Sequence, residues 1–264
     1  MTRAISAEFR KFFTTRMWWG MAIAVFLTGA AFALLFSLLG PPGGPNAGGD
    51  ASTLGDPARV RSVYTGGLGV AYLLTLAIGV MTIGSEYRHK TITSTFLATP
   101  NRVTVMGAKV VSLLGIGAFY GVLSLIGSVS VGAAVIAAKG FSPFPDSSIW
   151  RTLALSLLVL GLWALIGLGA GILIPNQIAA LLITIGVAWI VEPIIALVFS
   201  FQSWGKDIAP YFPSSATSAV TAGVQQPGSE THLLSWWAGA LVLATYAAVM
   251  AGIGSALTVR RDIS

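Results

Sequence analysis

The chain of 264 residues contains no cysteine, which removes a disulfide framework, a thiolate nucleophile and a zinc knuckle from consideration. Charge is nearly as scarce. Asp, Glu, Lys and Arg make up 9% of the residues, against roughly a quarter in an average soluble domain, too little to cover the surface of a soluble fold of this size. An ordinary soluble enzyme, a disordered chain and a basic nucleic-acid binder are all excluded on that ground. A nucleotide-binding loop of the form G-x-x-x-x-G-K-[ST] is missing too: the only Gly-Lys pair, Gly205 and Lys206, is followed by Asp207.

What is abundant is apolar sequence. Hydrophobic residues make up 55% of the chain and glycine contributes 31 positions. A bilayer core about 30 Å thick needs roughly 20 apolar residues in helix, and six stretches qualify, at 17–39, 64–84, 110–138, 150–174, 178–199 and 235–259. The third is longer than a span requires and should tilt or protrude. An even number of spans puts both termini on one side. With the termini inside, the internal segments hold ten basic residues (Arg3, Arg10, Lys11, Arg16, Arg88, Lys90, Arg102, Lys109, Arg260, Arg261) against Glu8, Glu86 and Asp262. The external segments hold five (Arg59, Arg61, Lys139, Arg151, Lys206) against five acids. The positive-inside rule therefore makes the termini cytoplasmic, and Trp18, Trp19, Trp150, Trp236 and Trp237 fall at span boundaries as interfacial anchors. His89 and His232 then lie on opposite sides and cannot share a metal; no metal site is expected.

The connecting segments differ in character. The first external loop, 41–62, is a Pro- and Gly-rich linker with little ability to pack and is expected to be mobile. Pro175, Asn176 and Gln177 form only a tight turn. In 200–234, Phe201, Trp204, Ile208, Tyr211 and Phe212 are too apolar for a free loop, while Pro210 and Pro213 interrupt any span. Short helices dipping back into the outer leaflet would bury such a stretch.

At the N-terminus, Ile5, Phe9, Phe12 and Phe13 recur at helical spacing on one face, with Arg3, Ser6, Arg10, Lys11 and Thr14 on the other. Residues 1–16 thus read as an interfacial helix with its basic face toward anionic lipid headgroups. After the second span, 85–102 reads as a short amphipathic helix, with Ser85 as N-cap, Glu86 in the first turn, Ile92 and Phe96 one turn apart, and Pro100 as terminator. Its polar face carries Arg88, His89, Lys90, Thr91 and Thr95.

This run, G-S-E-Y-R-x-x-T-I-x-x-T-F-L-A-T-P-x-R with Lys109 seven residues on, resembles the segment after span two in permease subunits of ABC-2 type ATP-binding-cassette transporters. The matching positions are Glu86, Arg88, Thr91, Pro100, Arg102 and Lys109. The family commonly has Gly before the Thr, and this chain has Lys90, which suggests a more regular helix there. Tyr211, Phe212, Pro213 and Ala216 echo a second pattern of the family. The resemblance implies an all-α membrane protein: six transmembrane helices, an N-terminal interfacial helix, a cytoplasmic coupling helix and short re-entrant helices before the last span. It also implies export of an amphiphilic or polymeric substrate. Two separate ATPase subunits would carry ATP and Mg, contacting the permease at Glu86, Arg88, Thr91, Ile92, Thr95, Pro100 and Arg102, and a second permease copy or homologue would complete the pump. The chain itself would bind no cofactor and catalyse no hydrolysis.

Glu192, followed by Pro193, is the one acid well inside a span, and intramembrane acids are costly. Three roles compete: a proton or cation site, a contact to polar substrate, or a structural hydrogen bond to a neighbouring helix. The first would make the chain an ion-coupled secondary carrier instead. Pro193 should kink its helix. Trp163 and Trp189, both mid-span, are further candidates for a substrate pathway. Gly117 with Gly121 and Gly167 with Gly171 form GxxxG pairs suited to close helix contact, within the chain or between copies.

Overall fold

A computed structural model describes residues 1–41, 51–91, 97, 101–202, 204–221 and 234–260. Every regular element among them is helical: α1 (Thr2–Thr14), α2 (Met17–Leu39), α3 (Pro57–Thr65), α4 (Leu68–Arg88), α5 (Arg102–Ala138), α6 (Ser148–Leu173), α7 (Gln177–Gly186), α8 (Glu192–Ser200), α9 (Gly205–Ile208), α10 (Pro213–Thr221) and α11 (Trp236–Arg260). Six helical stretches among the described residues are long and apolar enough to cross a membrane, so the chain is a multi-pass membrane protein.

The bundle is organised around α4 and α6. In the most apolar stretch of α6 78% of residues are buried, and in that of α3–α4 67%, whereas the span from Gln177 to Phe199 has 11%. The central pair meets backbone to backbone. A Cβ on Gly79 would strike the Ala164 carbonyl oxygen, and one on Gly167 the Leu76 carbonyl oxygen. Gly171 sits against Val80 and Ile83, while Gly117 lies on Gly161, so both GxxxG pairs serve contacts within the chain. Helix α2 meets α5 in the same manner, with Gly29 against the Ser124 carbonyl and Gly127 against that of Phe26. Such close approach supplies the van der Waals contact that holds helices together where no hydrophobic driving force separates them from lipid.

Three expectations need correction. The linker from 41 to 62 does not stay unpacked along its second half: Ala51–Gly55 forms a 3₁₀ turn and Pro57 opens α3. Leu54, Val60 and Val63 are buried in a second core with Ile136 and Ile149 from the ends of α5 and α6, and Tyr64 donates its hydroxyl proton to the Pro143 carbonyl at 2.8 Å. Residues 42–50 lie outside the described set. Ser85 is not an N-cap but lies inside α4, which runs on to Arg88. Lys90 does not continue a regular helix; its φ of 55° is left-handed.

The third long helix is 37 residues and starts at Arg102 rather than 110, about 55 Å at 1.5 Å per residue. Asn101 caps it by accepting the Thr104 N–H at 3.2 Å. At its far end Gly140, with φ of 85°, closes the helix: Gly140 N–H donates to Ala137 and Phe141 N–H to Ile136, the pairing of a Schellman cap. In the fifth span the disturbance expected of Pro193 takes the form of a π turn over Val187–Val191, where Glu192 N–H reaches back to Val187. A proline has no N–H and crowds the carbonyl four residues back; widening the preceding turn relieves both. Before the last span, α9, a 3₁₀ turn at Ala209–Tyr211, and α10 form the short helices, and α10 packs on α6 and α11.

Candidate functional site

The polar chemistry gathers at the end of the bundle that carries the N-terminus, where α1, α4 and α5 meet. Helix α1 lies along α5: Phe9 covers Gly115, Phe12 meets the Tyr120 ring edge-on at 6.0 Å, and Phe13 packs on Trp18 and Phe119. Glu8 falls three residues after Ile5 and four before Phe12, so this packing carries it inward, and it is 7% exposed.

There Glu8 joins Lys11, Glu86 and Lys109. Lys109, 1% exposed, donates to Glu8 Oε2 at 2.8 Å and to Glu86 Oε1 at 2.7 Å. Lys11 donates to Glu8 Oε1 and to Glu86 Oε1, both at 2.9 Å. Two ammonium groups therefore bridge two carboxylates from three helices. Desolvation by burial works to raise the pKa of Glu8, but the Lys109 charge and the hydrogen bonds from Lys109 and Lys11 outweigh it, leaving Glu8 below its ordinary 4.5. Burial likewise works to lower Lys11, and its hydrogen bonds to Glu86 and Glu8 reverse that, holding it above 10.5. Removing Lys109, the fully buried member, would leave two buried carboxylates with only the half-exposed Lys11 between them, at a cost of about 3–5 kcal/mol.

The second oxygen of Glu86, Oε2, is buried and finds no hydrogen-bond partner among the described residues. Glu86 is also among the residues that line a cavity of about 490 Å³ between α1, α4, α5 and the start of α7. Helix α4 ends at the same place in a Schellman cap: Lys90 N–H donates to the Tyr87 carbonyl at 3.2 Å and Thr91 N–H to that of Glu86 at 3.0 Å. Lys90 occupies the left-handed position where glycine is usual.

The predicted coupling residues separate here. Glu86 is buried in the ion network, whereas Arg88 and Thr91 are exposed. Ile92, Thr95 and Pro100 lie outside the described residues, and Arg102 opens α5. Of the α1 residues, Phe12 is buried, Ile5 and Phe9 are half-buried, and Arg10, Lys11 and Phe13 are exposed. Sequence reasoning left out Glu8, although its place on the apolar face was readable from the spacing to Ile5 and Phe12.

Of the substrate-pathway candidates, Trp163 and Glu192 both bond to α10, at Thr217 and Ser214, whereas Trp189 stands apart from them. Trp163 is buried, stacked on Tyr72 at 4.3 Å, and donates its indole N–H to Thr217 Oγ1 at 2.8 Å. Trp189 points away from the bundle, 63% exposed. Glu192 is buried, and its Oε1 accepts the backbone N–H of Ser214 at 2.7 Å. Since Ser214 is the second residue of α10, the carboxylate faces the positive end of that helix. Among the described residues no three His, Cys, Asp or Glu side chains are grouped to hold a metal ion. Comparison with protein-family models, with curated protein sequences and with solved structures gave no match.

Proposed function

We propose that the chain is the membrane-spanning permease subunit of an ABC-2 type exporter, set in the cell membrane with both termini cytoplasmic. It moves an amphiphilic or polymeric substrate (a drug, lipid, peptide or glycan) using ATP hydrolysed with Mg on two separate ATPase subunits, and a second copy or homologue completes the pathway. The observation that carries this reading is the four-membered ion network joining Glu86 at the end of α4, Lys109 on α5 and Glu8 and Lys11 on α1.

Those are the elements flanking the loop that resembles a coupling segment. A push delivered to that loop by closing ATPases has to reach the spans without being absorbed locally. Buried ion pairs across three helices tie the loop's two ends and the interfacial helix into one rigid unit. The continuous α5, with 37 residues, then carries displacement through the full thickness of the bilayer as a rigid-body motion. Exposed Arg88 and Thr91 are the contacts to the ATPase, and buried Glu86 is a positioning residue behind them.

The test is purification of the chain from its native membrane with bound partners, followed by Arg88→Glu. A P-loop ATPase should copurify, and the substitution should leave its hydrolysis measurable while substrate flux falls at least about tenfold, the equivalent of 1.4 kcal/mol of coupling. Absence of any copurifying ATPase, or flux indifferent to both ATP and Arg88→Glu, overturns the proposal.

A further inference from the structure

Helix α10 is divided by face. Ala216, Ala219 and Val220 are buried where the helix packs on α6 and α11. Ser214, Thr217, Ser218 and Thr221 recur at i, i+3, i+4 and i+7 on another face, and all four line a cavity shared with Thr65 at the end of α3 and Tyr72 on α4. Phe36 and Leu68 add apolar wall, and among the described residues no charged side chain lines the space. Its volume is about 170 Å³, room for about six non-hydrogen atoms at the roughly 30 Å³ that each molecule of liquid water occupies.

The hydroxyls are not equivalent. Thr65, Thr217, Ser218 and Thr221 give their protons to the carbonyls of Arg61, Pro213, Ser214 and Thr217, one turn back. The Ser214 hydroxyl bonds to the Glu192 carboxylate. With their protons committed, these groups have only lone pairs to offer a ligand. Tyr72 differs. Its ring is stacked on Trp163, the residue is 8% exposed, and its hydroxyl makes no hydrogen bond among the described residues. That oxygen is not one of the fully enclosed polar atoms without a partner, so it keeps open surface, and Tyr72 lines the cavity.

A carboxylate or phosphate would accept from Tyr72 but find no positive side chain in the lining. An ammonium would leave the Tyr72 proton unmatched and find no negative one. An ether could only accept. We propose that this cavity binds the hydroxyl end of an uncharged aliphatic molecule, such as a short diol or the glycerol end of a monoacylglycerol. A ligand hydroxyl accepts from Tyr72 and donates to the threonine oxygens, while its carbons lie against Phe36 and Leu68. The proposal goes beyond the transport reading and does not depend on it.

The experiment uses the full chain in nanodiscs of phosphatidylcholine, whose headgroup has no hydroxyl, with no ATPase present. A 1,2-hexanediol carrying a terminal diazirine is photolysed at increasing concentration, and labelling of peptides containing 65–72 and 214–221 is followed by mass spectrometry. Labelling should saturate and be displaced by plain 1,2-hexanediol, with 1,2-dimethoxyhexane, which has no proton to donate, at least about fivefold weaker. Tyr72→Phe removes only a hydroxyl that holds no described protein group, so thermal stability should be kept while half-saturation rises about fivefold. Gly69→Phe adds bulk at an exposed position in the lining, where a Cβ meets no atom within 4 Å, and should weaken labelling as well. Monooleoylglycerol added to the nanodiscs separates the sources: competition identifies a membrane lipid as occupant, and lack of competition a water-soluble alcohol, both supporting the site. Half-saturation unchanged by both substitutions, equal displacement by 1,2-dimethoxyhexane, or no saturable labelling overturns the proposal and leaves water as the partner of the Tyr72 hydroxyl.

Discussion

Lys90 holds a backbone conformation that costs an L-residue roughly 1–2 kcal/mol, and the Schellman bonds from Lys90 and Thr91 to Tyr87 and Glu86 show what imposes it. The chain must leave α4 sharply toward the loop before α5, and the cap enforces that turn whatever residue stands there. A lysine where the resembled segment usually has glycine points to a more regular helix. Local propensity pointed the wrong way because the reversal is fixed by the two flanking helices. At Gly140 the same cap carries the residue that suits it. Lys90→Gly should therefore stabilise the helix end by about 1 kcal/mol, after allowing for the greater freedom of glycine in the unfolded chain. Hydrogen exchange is the check: protection of the Lys90 and Thr91 amides should rise roughly fivefold, and a fall would mean that the left-handed turn is not held in solution. Glu8 illustrates a second limit at this scale. An acid between Ile5 and Phe12 was visible in the sequence, but its burial depends on Lys109, 101 residues away along the chain.

Helix α1 is attached through aromatic contacts and through ion pairs, and the two respond to different conditions. The aromatic face, through Phe9, Phe12 and Phe13, does not titrate; the Glu8 and Lys11 contacts do. Glu8 has its pKa depressed below 4.5, so its contribution is present above that value and is lost as pH falls through the lowered one. Lys11 is raised above 10.5, so its contribution is complete below that value and is lost as pH rises through the raised one. Attachment of α1 should accordingly be constant across the neutral range and loosen at both extremes. A spin label on Ser6→Cys, placed on the exposed face, should report constant mobility between those limits and increased mobility beyond each. Mobility that changes near pH 7 would show that the network does not hold the helix. The helical elements themselves were largely legible from apolar length and periodicity. Residues 51–65 were not, because Pro and Gly dominate the composition of 41–62 while only Leu54, Val60 and Val63 decide the packing. Their partners on α5 and α6 lie more than 70 residues further along, beyond the reach of any local pattern.

At the scale of the whole molecule, the distribution of charge decides how the bundle sits in its membrane. Ten basic residues against three acids fall in segments on the side of the termini, and five against five on the other. Burial alters this balance only modestly. Lys109 is paired with two carboxylates in the interior, and Arg59, on the opposite side, is buried with bonds to Thr53 and the Phe36 carbonyl. With both set aside, nine basic residues still fall on the side of the termini and four on the other, the asymmetry on which the proposed cytoplasmic N-terminus rests. The absence of cysteine turns this into a direct measurement, since any introduced thiol is the only one present. Ser142→Cys, exposed between α5 and α6, should react with a membrane-impermeant maleimide in intact cells. Ser6→Cys should react only after the membrane is opened. The reverse pattern would invert the topology, place the ion network and its cavity outside the cell, and so remove the cytoplasmic ATPase contact on which the proposed function depends.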